Sequence, residues 1–389
     1  MEHNGKVLLF KGESQYDVLR FFTDELDRAF RALRIPTVVI DLLEPDALSR
    51  LQRELQESRF LFALGFNGVG QELRIQGESL YDMIRLPFVA FYVDHPIHHD
   101  SRLRYAFRYQ VVSFVDQDLV DFANAHYPGK FVVFIPHGGS ADPDVRDNPV
   151  PIHKRSVPIL FAGSFQDPDA FLQSVNAPEG ALRQIKSIAE IMLSGDHVNI
   201  RKATVTFLQT LGMGEEDLTP DLFPIMRLAE LYFRFECRKR LILSLSNLPV
   251  TVCGNGWEQL KGAKKPLNSL PAKSFAETLR LAGDAKIFLS IAPFFRQGGH
   301  ERVFSAMLSG AVAAADRSGY LDRILSPGIH YIGYRSTDPL GDLLAAVLED
   351  PDKLQEIASE GRKQAEANHT WTHRAVAILG AVKEFLHRL

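Results

Sequence analysis

Cysteine is scarce: the 389 residues contain two, Cys237 and Cys253. Two thiols cannot build a disulfide framework, and their separation has no metal-ligand spacing, so both read as buried and inert. Long apolar runs are also missing. No stretch approaches the ~20 apolar residues of a membrane span. The early run "KVLLF" is broken by Lys11 and Glu13 too soon for a secretory h-region, which makes a cytoplasmic protein the expectation. The sequon Asn368–His369–Thr370 carries little weight in that setting. Charge of one sign is lacking too: a formal net charge of −4 gives no basic field for nucleic acid. The His and Asp density of "FYVDHPIHHD" (91–100) makes a metal site conceivable, but no helical H-x-x-x-H pair supports it, so none is expected. "GFNGVG" (65–70) is not the G-x-G-x-x-G that opens a helix after a first strand, which weakens a dinucleotide reading. Short repeats, heptads and low-complexity tracts are absent.

What is present is an alternation of short apolar runs with helix-period segments. "KVLLF" (6–10), "PTVVID" (36–41), "FLFALG" (60–65), "FVAFYV" (88–93), "VVSFV" (111–115) and "FVVFIP" (131–136) are Val- and Phe-rich. Near-continuous apolar runs of this length suit strands covered on both faces. Between the first two, Val18, Phe21, Phe22, Leu26, Phe30 and Leu33 follow helical spacing. Repeated strand–helix–strand units predict a parallel, doubly wound sheet. The segment 137–158 is rich in Gly, Pro, Asp and Asn and reads as a linker. A second series follows in "ILFAGSF" (159–165), "PVTVCGNG" (249–256), "AKIFLSIA" (285–292), "AVAAAD" (311–316) and "IHYIGY" (329–334). The chain is therefore expected to form an α/β domain over 1–150 and a second over 151–368, with a helical insertion at about 166–245. Residues 369–389 form a final helix, capped near Asn368 or Thr370, that returns toward the first domain.

Ligands in such sheets bind beyond the carboxyl ends of the strands, and there the sequence places its loops. "GGHERVFSAMLSGAV" (298–312) puts Gly299, His300, Glu301 and Arg302 at the mouth of a helix from about His300 to Ser309. Free backbone N–H groups at such a mouth hold phosphate, and an arginine adds a charge-assisted contact; ordinary capping is the alternative. "FAGSF" offers Gly163 and Ser164 for close approach. "CGNGWEQL" offers Gly254 and Asn255, with Trp257 either stacking on a base or packing under its loop. In the first domain, "FYVDHPIHHD" delivers Asp94, His95, Pro96, His98, His99 and Asp100 to a strand end, where His95 beside a carboxylate is a candidate general base and solvated surface histidines are the alternative. Asn67 in "GFNGVG" and His137 in "PHGGS" occupy neighbouring strand-end loops.

Taken together, "PVTVCGNGW", "AKIFLSIAPFFRQGGHERVFSAMLSGAVAAADRSGYL" and "HTWTHRAVAIL" resemble the CgeB-like branch of the GT-B glycosyltransferases. So does the first-domain set "PFVAFYVDHP", "VVSFVDQDLVDF" and "VVFIPHGG". The resemblance implies a GT-B architecture, two doubly wound Rossmann-like domains facing a cleft. A nucleotide-diphosphate sugar would be the co-substrate, with no cofactor and no metal, and the acceptor hydroxyl would belong to a protein, lipid or saccharide. It puts Gly163, Ser164, Gly254, Asn255, Trp257, Gly299, His300, Glu301, Arg302 and Ser305 at the donor, Asp94 and His95 at the chemistry, and Asn67, His98 and His137 on the acceptor side. Ser305 stands where the family commonly has the Glu of "RxFEA", a donor-ribose contact. A non-catalytic nucleotide- or glycan-binding homologue and a nucleotide-sugar epimerase are the competing readings.

Overall fold

The structure, a computed structural model, describes residues 5–196 and 198–389. The chain divides into two compact units, one formed by residues 1–138 with 369–389 and the other by residues 139–368. Each is built on a six-stranded, all-parallel sheet.

In the first unit the strands are β1 (Lys6–Lys11), β2 (Thr37–Asp41), β3 (Phe60–Phe66), β4 (Phe88–Tyr92), β5 (Gln110–Phe114) and β6 (Phe131–Phe134). Their order is β2-β1-β3-β4-β5-β6. Leu8 pairs with Val38 on one side and Ala63 on the other, and every residue of β4 and β5 is buried. Such strands need apolar side chains on both faces, which is why the Val- and Phe-rich runs form them. Helix α1 (Val18–Ala32) supplies one cover by burying Phe22, Leu26, Ala29 and Phe30.

In the second unit the strands are β7 (Val157–Ala162), β8 (Val250–Cys253), β9 (Asn268–Leu270), β10 (Ala285–Ser290), β11 (Val312–Asp316) and β12 (Ile332–Tyr334), ordered β9-β8-β7-β10-β11-β12. The direction of strand addition reverses between β7 and β10, which makes their carboxyl ends the topological switch point. Between β7 and β8 the chain forms a short helix (Pro168–Ser174), then α2 (Glu179–Leu193), α3 (Ile200–Thr210) and the long α4 (Phe223–Ser244). Helix α5 (Glu301–Leu308) connects β10 to β11, and α6 (Pro351–Asn368) ends the unit. The apolar-run reading does not find β9: its "NSL" is polar and largely exposed at the sheet edge. It also misses the two-residue strands Arg74–Ile75 and Glu78–Ser79, which pair as a hairpin.

Of the stretch expected as a linker, residues 139–158 are built into the second unit. They contain a helix at Pro143–Asp147, and Gly139 lies so close to α5 that a Cβ there would come within 2.6 Å of Phe304. Arg155 is the main tie. Buried at 4 % exposure, it donates to the carbonyls of Val150 (2.9 Å), Ala285 (2.9 Å) and Ser309 (3.1 Å). Burial lowers its pKa to about 10, which still leaves it charged at neutral pH. The left-handed Gly310 (φ +68°) gives it room, since a Cβ there would lie 2.8 Å from Nη2.

The first unit is closed by α7 (Trp371–Arg388), whose N-cap is Thr370. Trp371 is fully enclosed, 4.9 Å from the ring of Phe22 and edge-on to Phe66 at 5.7 Å. Arg374 Nε donates to the His137 carbonyl at 2.8 Å.

Arg155→Met keeps the side chain's length but leaves three carbonyls without their donor. The substitution is expected to destabilise the second unit by about 3 kcal/mol, read as a lower urea midpoint by fluorescence; an unchanged midpoint would contradict the bridging role.

Candidate functional site

At the switch point of the second unit, two loops lie backbone against backbone. Gly163 N donates to Cys253 O (2.8 Å), and Phe165 N to Asn255 O (2.8 Å). Asn255 N reaches Ser164 Oγ at 3.3 Å. Gly254 has φ +154°, and a Cβ on it would fall 2.5 Å from Gly163 O, so only glycine fits. Trp257 takes the packing role of the two open to it. It is buried, its ring stacks on Phe165 at 5.2 Å and meets Phe161 edge-on, and its Nε1 donates to Gly163 O at 2.9 Å. It supports the loops from below, while Asn255 is exposed above.

The neighbouring loop, 291–300, is fixed by side chains. Asp316 Oδ2 accepts from Ala292 N (2.8 Å), and Ser318 Oγ donates to Gly298 O (2.6 Å). Helix α5 follows, with His300 outside it as N-cap and its Nδ1 accepting from Arg302 N at 3.2 Å. One of the N-terminal donors is therefore already used by the protein. Glu301 is buried and lies 3.4 Å from His300 Nδ1. Burial raises its carboxyl pKa to about 7, against the lowering effects of Arg302 and the Ser305 hydroxyl. Ser305 is fully buried: it donates to Glu301 Oε2 (3.3 Å) and accepts from Ser140 N (3.1 Å). Its hydroxyl is thus spent inside the unit, where the resemblance implied a donor contact. The half-buried Arg302 sits over the Phe161 ring at 5.6 Å.

Helix α4 adds cations that the sequence reading does not single out. Arg238 Nη1 donates to Ser164 O (2.7 Å), and Lys239 Nζ pairs with Asp167 (3.2 Å). One turn earlier, Arg234 lies over the Phe294 ring at 3.9 Å and pairs with buried Glu230 at 2.8 Å. The i, i+4 spacing of Arg234 and Arg238 was the available signal. It identifies a shared face, but not that the face meets the strand-end loops.

In the first unit, Asn67 follows β3 in the left-handed region (φ +50°) and joins two strand ends. Its Oδ1 accepts from Val93 N (3.0 Å), and its Nδ2 donates to Asp94 Oδ2 (3.2 Å). The Asp94 side chain is 38 % exposed, with His99 Nε2 at 3.8 Å. His95 is buried, caps a short 3-10 turn through Nδ1 accepting from Ile97 N (3.2 Å), and meets Phe122 edge-on at 4.7 Å. His137 is also buried, edge-on to Phe22. Burial lowers its pKa to about 3 and keeps it neutral, so it belongs to the core of its unit. Among the described residues, no group of three or more His, Cys, Asp or Glu could hold a metal ion, and no helix is long and apolar enough to cross a membrane. Burial raises the pKa of both cysteines, in line with inert thiols.

This fold is that of the GT-B glycosyltransferases. Residues 237–380 match the family model described as "Glycosyl transferase-like". Sucrose-phosphate synthase from Thermosynechococcus elongatus superposes with a TM-score of 0.54 at 11 % identity, over 99 % of this chain and 100 % of that one. Anabaena HepE in complex with UDP and glucose gives 0.51 at 12 %, over 98 % and 100 %. AviGT4, a glycosyltransferase involved in avilamycin A biosynthesis, gives 0.50 at 10 %, over 99 % of both chains. No curated protein is similar in sequence.

Glu301 and Asp316 have raised pKa values, about 7 and about 6, chiefly through burial. The native protein therefore retains protons that the unfolded chain releases above its values of 4.5 and 3.8. The contribution of these two carboxyls to stability is expected to fall as pH rises from about 4 to 7, opposite in sign to that of the buried, neutral His137 and His369. Glu301→Gln should remove up to about 3 kcal/mol of that slope, measured as thermal midpoints across the range. An unchanged profile would show that the carboxyl titrates normally.

Proposed function

We propose that this chain is a glycosyltransferase that moves a sugar from a nucleotide-diphosphate donor to an acceptor hydroxyl, holding the donor at the switch point of its second unit. One observation carries the reading: the interlocked loops at Gly163 and Gly254, the mouth of α5, and the cations Arg238 and Lys239 converge on one edge of one sheet. A diphosphate needs close backbone approach, N–H donors and positive charge, and this edge supplies all three. HepE, with the same fold, is described in complex with UDP and glucose, which makes uridine nucleotides the first probes. The motifs around "CGNGW" and "RVFSAM" support the CgeB-like branch within this class.

In the reaction, the bond between the anomeric carbon and the β-phosphate oxygen breaks, and the acceptor oxygen bonds to that carbon. Charge developing on the leaving diphosphate is offset by the N–H groups of the helix mouth and by Arg238, Lys239 and Arg302. The acceptor proton passes to a base. Asp94 suits that role better than His95, since its carboxylate is partly exposed, whereas the His95 Nδ1 is committed to the Ile97 amide.

The protein is expected to be thermally stabilised by at least one of UDP-, GDP- or dTDP-glucose. Arg238→Ala should weaken that nucleotide about tenfold. Asp94→Asn should leave its affinity unchanged and lower transfer about 100-fold or more. Absence of stabilisation by any of the three would overturn the donor-site assignment. Binding without transfer or donor hydrolysis would make the chain a binding homologue instead.

A further inference from the structure

The second unit holds a cavity of about 380 Å³ that the donor reading does not use, within the roughly 300–1,000 Å³ usual for small-molecule sites. Its roof is the end of α2, the turn at Gly195–Asp196 and one face of α4. Its floor is the loop after β10 and the carboxyl ends of β11 and β12. Two bonds tie roof to floor: Arg296 Nη2 donates to Gly195 O (3.4 Å), and Ser336 N donates to Asp196 Oδ1 (3.3 Å). The helical insertion therefore completes a compartment over the strand ends.

The lining selects a chemistry. Asp196, Asp316 and Asp338 stand with Arg240, Arg296 and Arg335, three carboxylates with three guanidinium groups. An anion would meet the carboxylates, a cation would meet the guanidinium groups, and an apolar molecule would desolvate all six without replacing their hydrogen bonds. A neutral polyol suits both signs, because each hydroxyl donates one hydrogen bond and accepts two. Buried Phe233 and Tyr334 add flat apolar surface, which suits the C–H face of a sugar ring. Asp316 also lines the small space at the mouth of α5 with Gly299 and His300, so this compartment and the candidate donor edge share a wall.

We propose that this cavity is a subsite for a neutral saccharide, built by the helical insertion and serving the acceptor. The acceptor role rests on the glycosyltransferase reading; saccharide binding itself does not. Asp196 and Arg240 extend from the insertion side, Asp316 and Arg296 from the sheet side, and the sugar hydroxyls bridge them.

Saturation-transfer NMR on the full chain with glucose, galactose, N-acetylglucosamine and maltose tests this, each with and without UDP and UDP-glucose. At least one of these sugars is expected to give a signal that persists when UDP-glucose is present. Ser244→Trp, at an exposed lining position, and Asp196→Ala should each lower its affinity about tenfold, the scale of one charged hydrogen bond. Nucleotide affinity should stay within about twofold in both. The proposal is overturned if none of the four sugars binds, if binding survives both substitutions, or if UDP-glucose displaces the sugar and so assigns it to the donor's own site. Failure of the donor reading would register separately, as sugar binding without nucleotide binding.

Discussion

A parallel sheet covered on both faces leaves its strands no room for polar chemistry. In both units the central strands are buried over most of their length, so the groups capable of chemistry lie where strands end. The reversal of strand order between β7 and β10 then decides which ends diverge enough to admit a ligand. The glycines of the second unit follow from that constraint. Strand-end loops that share one switch point approach each other backbone to backbone, and a side chain at Gly254 would occupy the position of the Gly163 carbonyl.

The same crowding sorts the residues around the site into those that face outward and those that hold the others. Trp257 braces the loop from beneath with one hydrogen bond and two ring contacts. Ser305 joins the start of the unit to α5 through the Ser140 amide. Arg155 gathers carbonyls from three separate segments. In the first unit, Asn67 couples the ends of β3 and β4 and, through its amide, orients Asp94.

The fold was largely legible in the sequence because buried parallel strands carry a strong signal. "FVAFY" and "VVSF" need no partner to be recognised, since no other element wants so many apolar residues in so short a run. β9 gives no such signal, because an exposed edge strand can be polar and "NSL" is. The candidate site was legible as loops rather than as side chains. The positions of Gly163, Gly254 and Gly299 follow from strand ends, but a histidine or serine in a strand-end loop reads the same whether it faces solvent or the core. His137, His95 and Ser305 turn inward for reasons of packing that distant residues impose. Arg238 and Lys239 show the reverse: helical period locates α4, while only the fold shows which of its faces meets Ser164 and Asp167.

The discontinuity of the first unit has a consequence for the order of events on the ribosome. Residues 139–368 form one uninterrupted stretch and can complete their unit as they emerge. The first unit, although its sheet is synthesised earlier, lacks Trp371 and α7 until residues 369–389 have left the exit tunnel. Until then the aromatic niche of Phe22, Phe66 and Phe91 is without its cover. The half of the protein made first is therefore finished last, and it carries an open apolar surface for the whole time its companion is being made.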